Sequence, residues 1–254
     1  MKQYGLIGRT LGHSFSQAYF TDKFAREHID AAYYNFELPD IDRFPQLLQS
    51  HPLLAGLNVT IPYKQVILPY LDRLSPEAAA IGAVNVIRFH RPDKHGQSLQ
   101  LIGENTDVIG FRETLRPLLQ PWHNRALVLG TGGASLAVIH ALRQLHIEPQ
   151  RVSRTPSDGV ITYDQLTSDH MAEHTLIINC TPLGTVPDTD RCPPIPYDRL
   201  TSRHLLYDLV YNPPQTKFMQ QGIAHGATVK SGLDMLHMQA LAAWQLWTAP
   251  VTAR

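Results

Sequence analysis

Short apolar runs alternate with amphipathic stretches along the whole chain, as expected for strands followed by helices. In the first half, strands are predicted at 3–8, 32–37, 56–60, 83–89 and 99–104, and helices at 16–28, 41–49, 62–71 and 107–119. In the second half, strands are predicted at 126–129, 151–153, 176–179, 205–209 and 228–230, and helices at 134–145 and 233–248. Segments 91–98 and 182–196 are polar and are predicted to be loops. The alternation predicts an α/β protein with mostly parallel sheets.

The composition narrows the class of protein. The chain has 254 residues, 43% of them hydrophobic, with 22 basic and 22 acidic side chains. This length suits one large or two smaller domains, and the balanced charge argues against non-specific binding of nucleic acid. Cys180 and Cys192 form no CxxC pair, and no Cys/His cluster has zinc spacing, so no metal is expected. Without an apolar leader or a membrane-length run, a cytoplasmic protein is predicted.

A glycine-rich turn follows the predicted buried strand 126–129 and precedes a helix. Gly130 allows a tight turn, and Gly132 lets the backbone approach a pyrophosphate at the helix N-terminus. The third glycine position of the dinucleotide fingerprint is Ser135, which is small. The alternative interpretation is a strand–helix turn without a ligand.

The end of the next predicted strand distinguishes between two dinucleotides. NAD sites usually carry a carboxylate there, about 20 residues after the glycines. Here Arg154 takes that position, and its guanidinium matches the oxygens of a 2′-phosphate. This favours NADP over NAD. The alternatives are a surface arginine, or a weakened preference if Asp158 faces the same phosphate.

Polar residues mark two strand ends in the first half. Ser14 and Ser16 lie at a predicted helix start, where two hydroxyls and the helix dipole can bind a carboxylate. Ser16 alone would also serve as an N-cap. Lys64 is predicted in the first turn of helix 62–71, where the dipole disfavours a cation, so helix stability does not explain it. An amine in that setting suits acid–base work. A solvated surface lysine is the alternative.

Two further polar groups precede predicted elements. Asn85 places an amide at a strand start, and Asp107 follows two polar residues just before a helix. Asp107 either caps that helix or holds a substrate hydroxyl and orients Lys64.

Taken together and in this order, these motifs resemble the shikimate dehydrogenase family over nearly the full chain. They are His13-Ser14-x-Ser16, Asn58-Val59-Thr60-x-Pro62-x-Lys64, Gly82-Ala83-x-Asn85, Asn105-Thr106-Asp107, Gly130-x-Gly132-Gly133-Ala134, Asn179-x-Thr181-Pro182-Leu183-Gly184, Asp208-x-x-Tyr211-x-Pro213-x-x-Thr216 and Gly232-x-x-Met235-Leu236-x-x-Gln239. Each motif is weak alone, and the ordered set is specific.

The resemblance implies reversible NADPH-dependent reduction of 3-dehydroshikimate to shikimate in aromatic amino-acid (chorismate) biosynthesis. It implies a catalytic pair, Lys64 and Asp107. It implies substrate contacts from Ser14, Ser16, Thr60, Asn85, Tyr211 and Gln239, with Asp107 also on a ring hydroxyl. It implies cofactor contacts from Gly130, Gly132, Gly133, Ala134, Ser153, Arg154, Thr155, Thr181 and Gly232.

The resemblance also implies two domains. A substrate domain would comprise 1–106 and 233–254, completed by the last helix, and a Rossmann-like NADP domain would comprise 107–232. The expected partners are the small-molecule substrate and cofactor, with no nucleic acid and no membrane, in a monomer or homodimer. The chain departs from the family pattern at Gln17, Phe20, Val86, Ser153, Asp158 and Thr185. Two rival functions stay open: a quinate/shikimate dehydrogenase with relaxed cofactor use, and a non-catalytic nucleotide-binding regulator.

Overall fold

The computed structural model describes residues 1–12, 14–91 and 98–250. The chain divides into two compact units. The first unit holds Met1–Thr106 together with the residues from Ala240 onward, and the second holds Asp107–Gln239. The division falls inside the last helix, whereas the sequence placed the boundary before residue 233. Most of the predicted loop 91–98 lies outside the described residues.

The first unit is built on a six-stranded sheet with the order β2-β1-β3-β5-β6-β4. Its strands are β1 (Lys2–Gly8), β2 (Ala31–Glu37), β3 (Leu54–Val59), β4 (Arg73–Leu74), β5 (Val86–His90) and β6 (Gln100–Glu104). Its first three helices are α1 (Phe15–Arg26), α2 (Phe44–Ser50) and α3 (Pro76–Ile81). Central β3 is buried at almost every position, as expected for a strand covered on both faces.

Strand direction in this sheet brings distant chain segments to one edge. β1 runs parallel to β2 and β3, while β5 runs antiparallel to β3 and β6. The carboxyl ends of β1, β2, β3 and β6 therefore lie at the same edge as the amino end of β5. Of the six strands only β5 runs against the others, so the sheet is mixed but still mostly parallel, as predicted.

The helix predicted at 62–71 is absent, and that prediction was wrong. The segment is a series of turns that ends in a short 3-10 turn at Leu68–Tyr70. Two prolines, Pro62 and Pro69, remove backbone donors from it. Tyr63 is buried and its hydroxyl donates to the Leu38 carbonyl. This tertiary contact and the prolines outweigh the helical spacing of the apolar residues.

The second unit carries a wholly parallel sheet with the order β12-β11-β10-β7-β8-β9. Its strands are β7 (Arg125–Leu129), β8 (Glu148–Ser153), β9 (Val160–Thr162), β10 (Leu176–Asn179), β11 (Leu205–Asp208) and β12 (Thr228–Ser231). Its helices are α4 (Asp107–Leu115), α5 (Gly133–Gln144), α6 (Ser168–Glu173) and α7 (Lys217–Ala224). This is the doubly wound dinucleotide-binding order, in which ligands bind at the carboxyl ends of the strands.

The last helix, α8 (Leu233–Thr248), begins in the second unit and ends in the first. Trp244 and Trp247 pack their rings on Tyr4 and Phe20 of the first unit. The indole of Trp247 also donates to the Ile87 carbonyl at 3.1 Å. The C-terminal half of this helix therefore completes the core of the first unit.

The predicted α/β class is confirmed. The predicted bounds of β10 and α8 match the structure, and most other predicted elements differ only at their ends. The sequence missed the helices α3, α6 and α7 and the short strands β4 and β9. Among the described residues, no helix is long and apolar enough to cross a membrane, and no group of three or more His, Cys, Asp or Glu side chains could hold a metal ion.

Candidate active site

The carboxyl edge of the first sheet gathers most of the polar residues that the sequence singled out there. We call this the polar edge and define it by Ser14, Thr60, Lys64, Asn85 and Thr106. Thr60 directly follows β3 and its N–H donates to the carbonyl of Ile7 in β1 at 2.9 Å. The Val84 N–H donates to the Lys64 carbonyl at 2.7 Å. These backbone bonds place the segments carrying Thr60, Lys64 and Asn85 side by side.

The two serines occupy different positions from those expected. Ser14, not Ser16, is the N-cap of α1, and its hydroxyl accepts the Gln17 N–H at 3.2 Å. Ser16 lies inside the first turn and is buried. Burial raises the pKa of Tyr33 well above its usual value, and a hydrogen bond with the Ser16 side chain opposes that rise. The helix simply begins one residue earlier than its spacing predicted.

Ser16 belongs to a buried chain of polar groups beneath the polar edge. The Tyr33 hydroxyl donates to the Asn58 side-chain carbonyl at 2.7 Å. Asn58, at the end of β3, in turn reaches the Asn85 carbonyl at 3.4 Å. This chain links α1, β2, β3 and the segment before β5. The sequence marked Asn58 as polar but contained no sign of its partner Tyr33, which is 25 residues away.

Lys64 lies in a turn and not in the first turn of a helix. The helix-dipole argument for its chemistry therefore does not apply. Its side chain is half-buried, and it has interaction partners within the structure. What remains of the sequence argument is its place beside Thr60 and Asn85 at the end of a central strand.

Asn85 is held by a neighbour on the polar edge. Its side-chain carbonyl accepts the Thr106 N–H at 2.7 Å, and its side-chain amide donates to the Thr106 hydroxyl at 3.0 Å. The orientation of the buried Asn85 amide is thus set by two opposed hydrogen bonds. The neighbouring Asn105 donates to the Ala83 carbonyl at 2.9 Å. Both amides anchor the strand ends that they belong to.

Asp107 is the first residue of α4 and is only 5% exposed. The helix starts at this residue, so Asp107 sits inside the first turn and does not precede it as a cap. The helix dipole favours a carboxylate in that position. It belongs to the second unit and directly follows Thr106, which ends the first of the two segments of the first unit.

The glycine turn of the second unit has the geometry that its sequence predicted. Gly130 follows β7 with φ at +105°, a backbone conformation that side chains with a Cβ rarely adopt. Gly132 is the N-cap of α5, and a Cβ added to it would meet no atom within 4 Å. Ser135 is fully buried and its hydroxyl donates to the Gly132 carbonyl at 2.7 Å. The turn thus leaves open space in front of the first N–H groups of α5.

The residues after β8 form an exposed loop. Arg154 and Thr155 are exposed, and the Ser153 hydroxyl accepts the Thr155 N–H at 3.5 Å. Arg151 donates to the backbone carbonyl of Asp158 at 3.1 Å, which holds the far side of the loop. Arg154 has the room and the charge to meet an anionic group.

A buried polar network lies at the ends of β10 and β11. Asp208 accepts hydrogen bonds from Asn179 at 2.9 Å and from the Thr216 hydroxyl at 2.5 Å. Asn179 in turn accepts the Thr181 hydroxyl at 2.6 Å. Burial raises the pKa of Asp208 to about 6, against the opposing effect of its hydrogen bonds. Sequence reasoning gave no role to Asn179, Asp208 or Thr216. Asn179 and Asp208 are polar residues that each end an apolar strand, and that position could have marked them as candidates.

The three remaining candidates lie in the second unit. Tyr211 is 36% exposed in the loop after β11. The N–H of Gly232 donates to the Val210 carbonyl at 3.3 Å, and a Cβ on Gly232 would lie 2.3 Å from the Leu209 carbonyl oxygen. Gln239 is buried in α8 and donates to the Leu236 carbonyl at 2.9 Å. Gly232 therefore packs directly against the loop that carries Tyr211.

Known proteins with similar sequences belong to one family. Residues 6–87 match the shikimate dehydrogenase substrate binding domain. Over 274 aligned residues the chain is 34% identical to the shikimate dehydrogenase (NADP(+)) of Chlorobaculum tepidum, covering 97% of this chain and 90% of that one.

Two solved structures are similar along nearly their whole length. The shikimate 5-dehydrogenase of Thermus thermophilus, in complex with NADP(H) and shikimate, is 31% identical with a TM-score of 0.83, covering 100% of this chain and 95% of that one. The quinate dehydrogenase of Corynebacterium glutamicum, in complex with NAD, is 26% identical with a TM-score of 0.84, covering 97% of this chain and 93% of that one. The similarity therefore extends over both units, and so over the candidate residues of the first unit and those of the second.

Proposed function

Because the chain belongs to the shikimate dehydrogenase family, we propose that it catalyses the reversible NADPH-dependent reduction of 3-dehydroshikimate to shikimate. The observation that carries the proposal is the polar edge. Hydroxyl, amide and ammonium groups from four chain segments meet at one edge of the first sheet. A small ring bearing a carboxylate and several hydroxyls needs donors and acceptors of that variety.

The carboxylate of the substrate would bind at the start of α1. The Ser14 oxygen already accepts the Gln17 N–H, which leaves its own proton to donate. Ser16 supplies a second hydroxyl one residue inside the helix, and the helix dipole adds attraction for the anion. Tyr211 is the further candidate for this end of the substrate.

The ring hydroxyls would bind to Thr60, Asn85, Asp107 and Gln239. The two hydrogen bonds between Asn85 and Thr106 hold that amide in one orientation. A substrate hydroxyl bound to it would therefore be held in a defined position. Buried amides and carboxylates discriminate strongly, because a substrate that lacks the matching hydroxyl leaves them unpaired.

The second unit fits a dinucleotide. Open space at Gly132 and the positive φ of Gly130 would admit a pyrophosphate to the N-terminus of α5, alongside Gly133 and Ala134. The exposed guanidinium of Arg154, with Ser153 and Thr155, would hold the 2′-phosphate of NADP. Thr181 and Gly232 would line the remainder of the site. When bound, the nicotinamide supplies or accepts the hydride at the ring carbon that bears the reacting oxygen.

Lys64 and Asp107 would handle the proton at that oxygen. Lys64 donates the proton as the carbonyl becomes a hydroxyl and removes it in the reverse direction. Asp107 accepts a hydrogen bond from the hydroxyl and so orients it toward Lys64. General acid–base assistance of this kind typically contributes about 10²–10⁴-fold to the rate.

A second candidate is a quinate/shikimate dehydrogenase with relaxed cofactor use. The exposed Asp158 in the loop after Arg154 favours it, because a nearby carboxylate weakens attraction for a 2′-phosphate. A non-catalytic regulator is disfavoured, since Lys64 and Asp107 are both present. A cytoplasmic location and a monomeric or homodimeric state are further predictions.

Initial rates with each pairing of NADP⁺ or NAD⁺ with shikimate or quinate test the proposal. We expect the highest kcat/KM with NADP⁺ and shikimate. The variant R154S should raise KM for NADP⁺ about 10–100-fold, the value of a hydrogen bond to a charged group, and leave KM for NAD⁺ unchanged. The control R199S removes an exposed arginine paired with Asp198 and should change neither. Cofactor binding without turnover of any pair would support the regulator instead.

A further inference from the structure

Asp208 is a fully buried carboxylate that the proposed chemistry does not use. It is 0% exposed and ends β11, a strand in the interior of the second sheet. Three donors surround it: the side chain of Asn179 at 2.9 Å, the N–H of Val210 at 3.0 Å and the hydroxyl of Thr216 at 2.5 Å. The donors come from three different places: the end of β10, the loop after β11 and the N-cap of α7.

The first branch of the network runs to the glycine turn. Asn179 uses its side-chain carbonyl to accept both the N–H of Thr181 at 3.0 Å and its hydroxyl at 2.6 Å. This orients Thr181 so that its methyl group would lie 3.1 Å from a Cβ on Gly130. The position of Thr181 against the turn therefore depends on the orientation of Asn179, which is set by the bond to Asp208 and a longer one to the Leu183 carbonyl at 3.4 Å.

The second branch runs to Tyr211. The bond to the Val210 N–H holds the residue before Tyr211, and the carbonyl of Val210 accepts the N–H of Gly232 at 3.3 Å. Thr216 caps α7 by accepting the N–H of Met219 at 3.3 Å. One carboxylate thus sits between the loop after β10, the loop after β11 and the start of α7.

We propose that Asp208 is a positioning residue that sets Thr181 and Tyr211 in mutual register through Asn179 and Val210. The assignment of Thr181 to the cofactor and Tyr211 to the substrate rests on the proposed function. Asp208 itself touches neither ligand in this scheme. Its effect would appear in the binding of both ligands together.

The energetics of Asp208 favour a role beyond stability. Burial raises its pKa to about 6, so the fold prefers the neutral acid and holds the ionised form at neutral pH against a desolvation cost. A carboxyl whose pKa is raised on folding lowers the free energy of unfolding at pH values above that pKa, so the charge of Asp208 opposes folding at neutral pH. A residue kept only for stability would not need this charge at the junction of two loops.

The variant D208N tests the role, because an amide keeps the size and removes the charge. Its carbonyl can still accept from Asn179 and Val210, while its NH₂ faces the Thr216 hydroxyl, which can turn to accept. Charge-assisted hydrogen bonds are about twice as strong as neutral ones, so both loops should loosen. We expect KM for NADP⁺ and KM for shikimate each to rise about tenfold, with a smaller change in kcat and no fall in Tm.

A second variant separates the two branches. N179A cuts the link to Thr181 and leaves the bonds from Val210 and Thr216 to Asp208 in place. It should raise KM for NADP⁺ about tenfold and keep KM for shikimate within about twofold of wild type. The matched control D198N removes an exposed carboxylate of the same unit and should change neither value. T216S keeps the donor to Asp208 and the cap of α7, and should also behave as wild type.

Several results would overturn the positioning role. One is D208N with both KM values within about twofold of wild type. Another is a drop in Tm with a matching loss of active enzyme at unchanged KM, which would make Asp208 purely structural. If D208N does not fold, N179A decides the question alone. Equal effects on the two KM values would overturn the positioning role, and a rise in KM for NADP⁺ alone would support it. If wild-type protein has no dehydrogenase activity, the proposed function fails; calorimetric affinities for NADP⁺ and shikimate then replace KM in the same comparison.

Discussion

The carboxyl edges of the two sheets, where we propose that the ligands bind, present different kinds of group. The polar edge of the first unit presents side chains: hydroxyls of Ser14 and Thr60, the amide of Asn85 and the ammonium of Lys64. The edge of the second unit presents backbone N–H groups of α5 and empty space at Gly132. A hydroxylated ring has to be told apart from other rings, which needs directed side-chain groups. A pyrophosphate is common to many cofactors, and the N–H groups at a helix N-terminus are enough to bind it.

The two edges also differ in how their residues are held. In the first unit, mixed strand directions bring the ends of β1, β3 and β6 next to the start of β5. In the second unit, the sheet is wholly parallel and its polar side chains are buried. Asn179 and Asp208 are hydrogen-bonded there and hold the loops that follow β10 and β11. Substitutions at the first edge should therefore affect chemistry directly, and substitutions at the second should affect the fit of the cofactor.

The largest effect expected is at the polar edge. K64A should lower kcat about 10²–10⁴-fold with little change in KM, because it removes the group that takes the proton from the reacting hydroxyl and leaves the binding groups in place. Steady-state rates with NADP⁺ and shikimate measure it. K2A, at the exposed start of β1, is the control of the same residue type. An unchanged kcat in K64A would remove Lys64 from the catalytic pair.

An intermediate effect is expected at the glycine turn. G132A introduces a methyl group into space that the structure leaves open, with φ at −76°, so the fold should be unaffected. The same methyl would stand between the α5 N–H groups and a pyrophosphate. We expect KM for NADP⁺ to rise about tenfold or more, with Tm unchanged.

The neighbouring glycine serves as the contrast. G130A places a side chain at φ +105° and 3.1 Å from the Thr181 methyl group. The strain should cost about 1–3 kcal/mol of unfolding free energy, seen as a lower Tm. If G132A lost stability while G130A kept it, the assignment of open space and tight turn would be reversed.

The smallest effect concerns acid stability and separates the two units. Among the described residues, all buried histidines lie in the second unit, at the amino ends of its strands: His123, His174 and His204. Desolvation lowers the pKa of each, against hydrogen bonds to backbone carbonyls that raise it. Nearby charges also lower it: Arg203 at His123 and His204, and Arg125 at His174, where Glu173 opposes. His204 accepts the Thr201 N–H at 3.0 Å and pairs its other ring nitrogen with the Met171 carbonyl at 2.9 Å.

The sign of the pH effect follows from these lowered values. As pH falls below the ordinary histidine value of about 6.5, the unfolded chain binds protons first, so stability is lost from that pH downward. Asp208 acts in the opposite direction, because burial raises its pKa to about 6 and the folded state then binds that proton first. We expect the three histidines to outweigh it, so the second unit should open before the first at about pH 5.5, and both should be stable near pH 7.5. Hydrogen exchange across the two units measures it, with H204N as the variant that cannot take up the proton. Equal protection of both units at low pH would contradict this.

Local patterns were sufficient for much of the fold. The apolar run at 176–179 and the helical spacing of apolar residues over 233–248 predicted β10 and α8 with the bounds that the structure shows. The glycine turn was also predicted, because the tight turn at Gly130 and the open N-cap at Gly132 are requirements of a few consecutive residues. Such features depend on neighbours in sequence, so the sequence contains them.

Other features depend on partners far along the chain. The helix expected at 62–71 gave way to turns once Tyr63 was buried and bonded to Leu38. The bond between Asn179 and Asp208 joins residues 29 positions apart, and no periodicity marks it. Residue types and their order determined the class of fold, the family and the candidate groups. Tertiary structure alone decided which polar groups are buried and which partners hold them, because desolvation and hydrogen bonding act on positions in space.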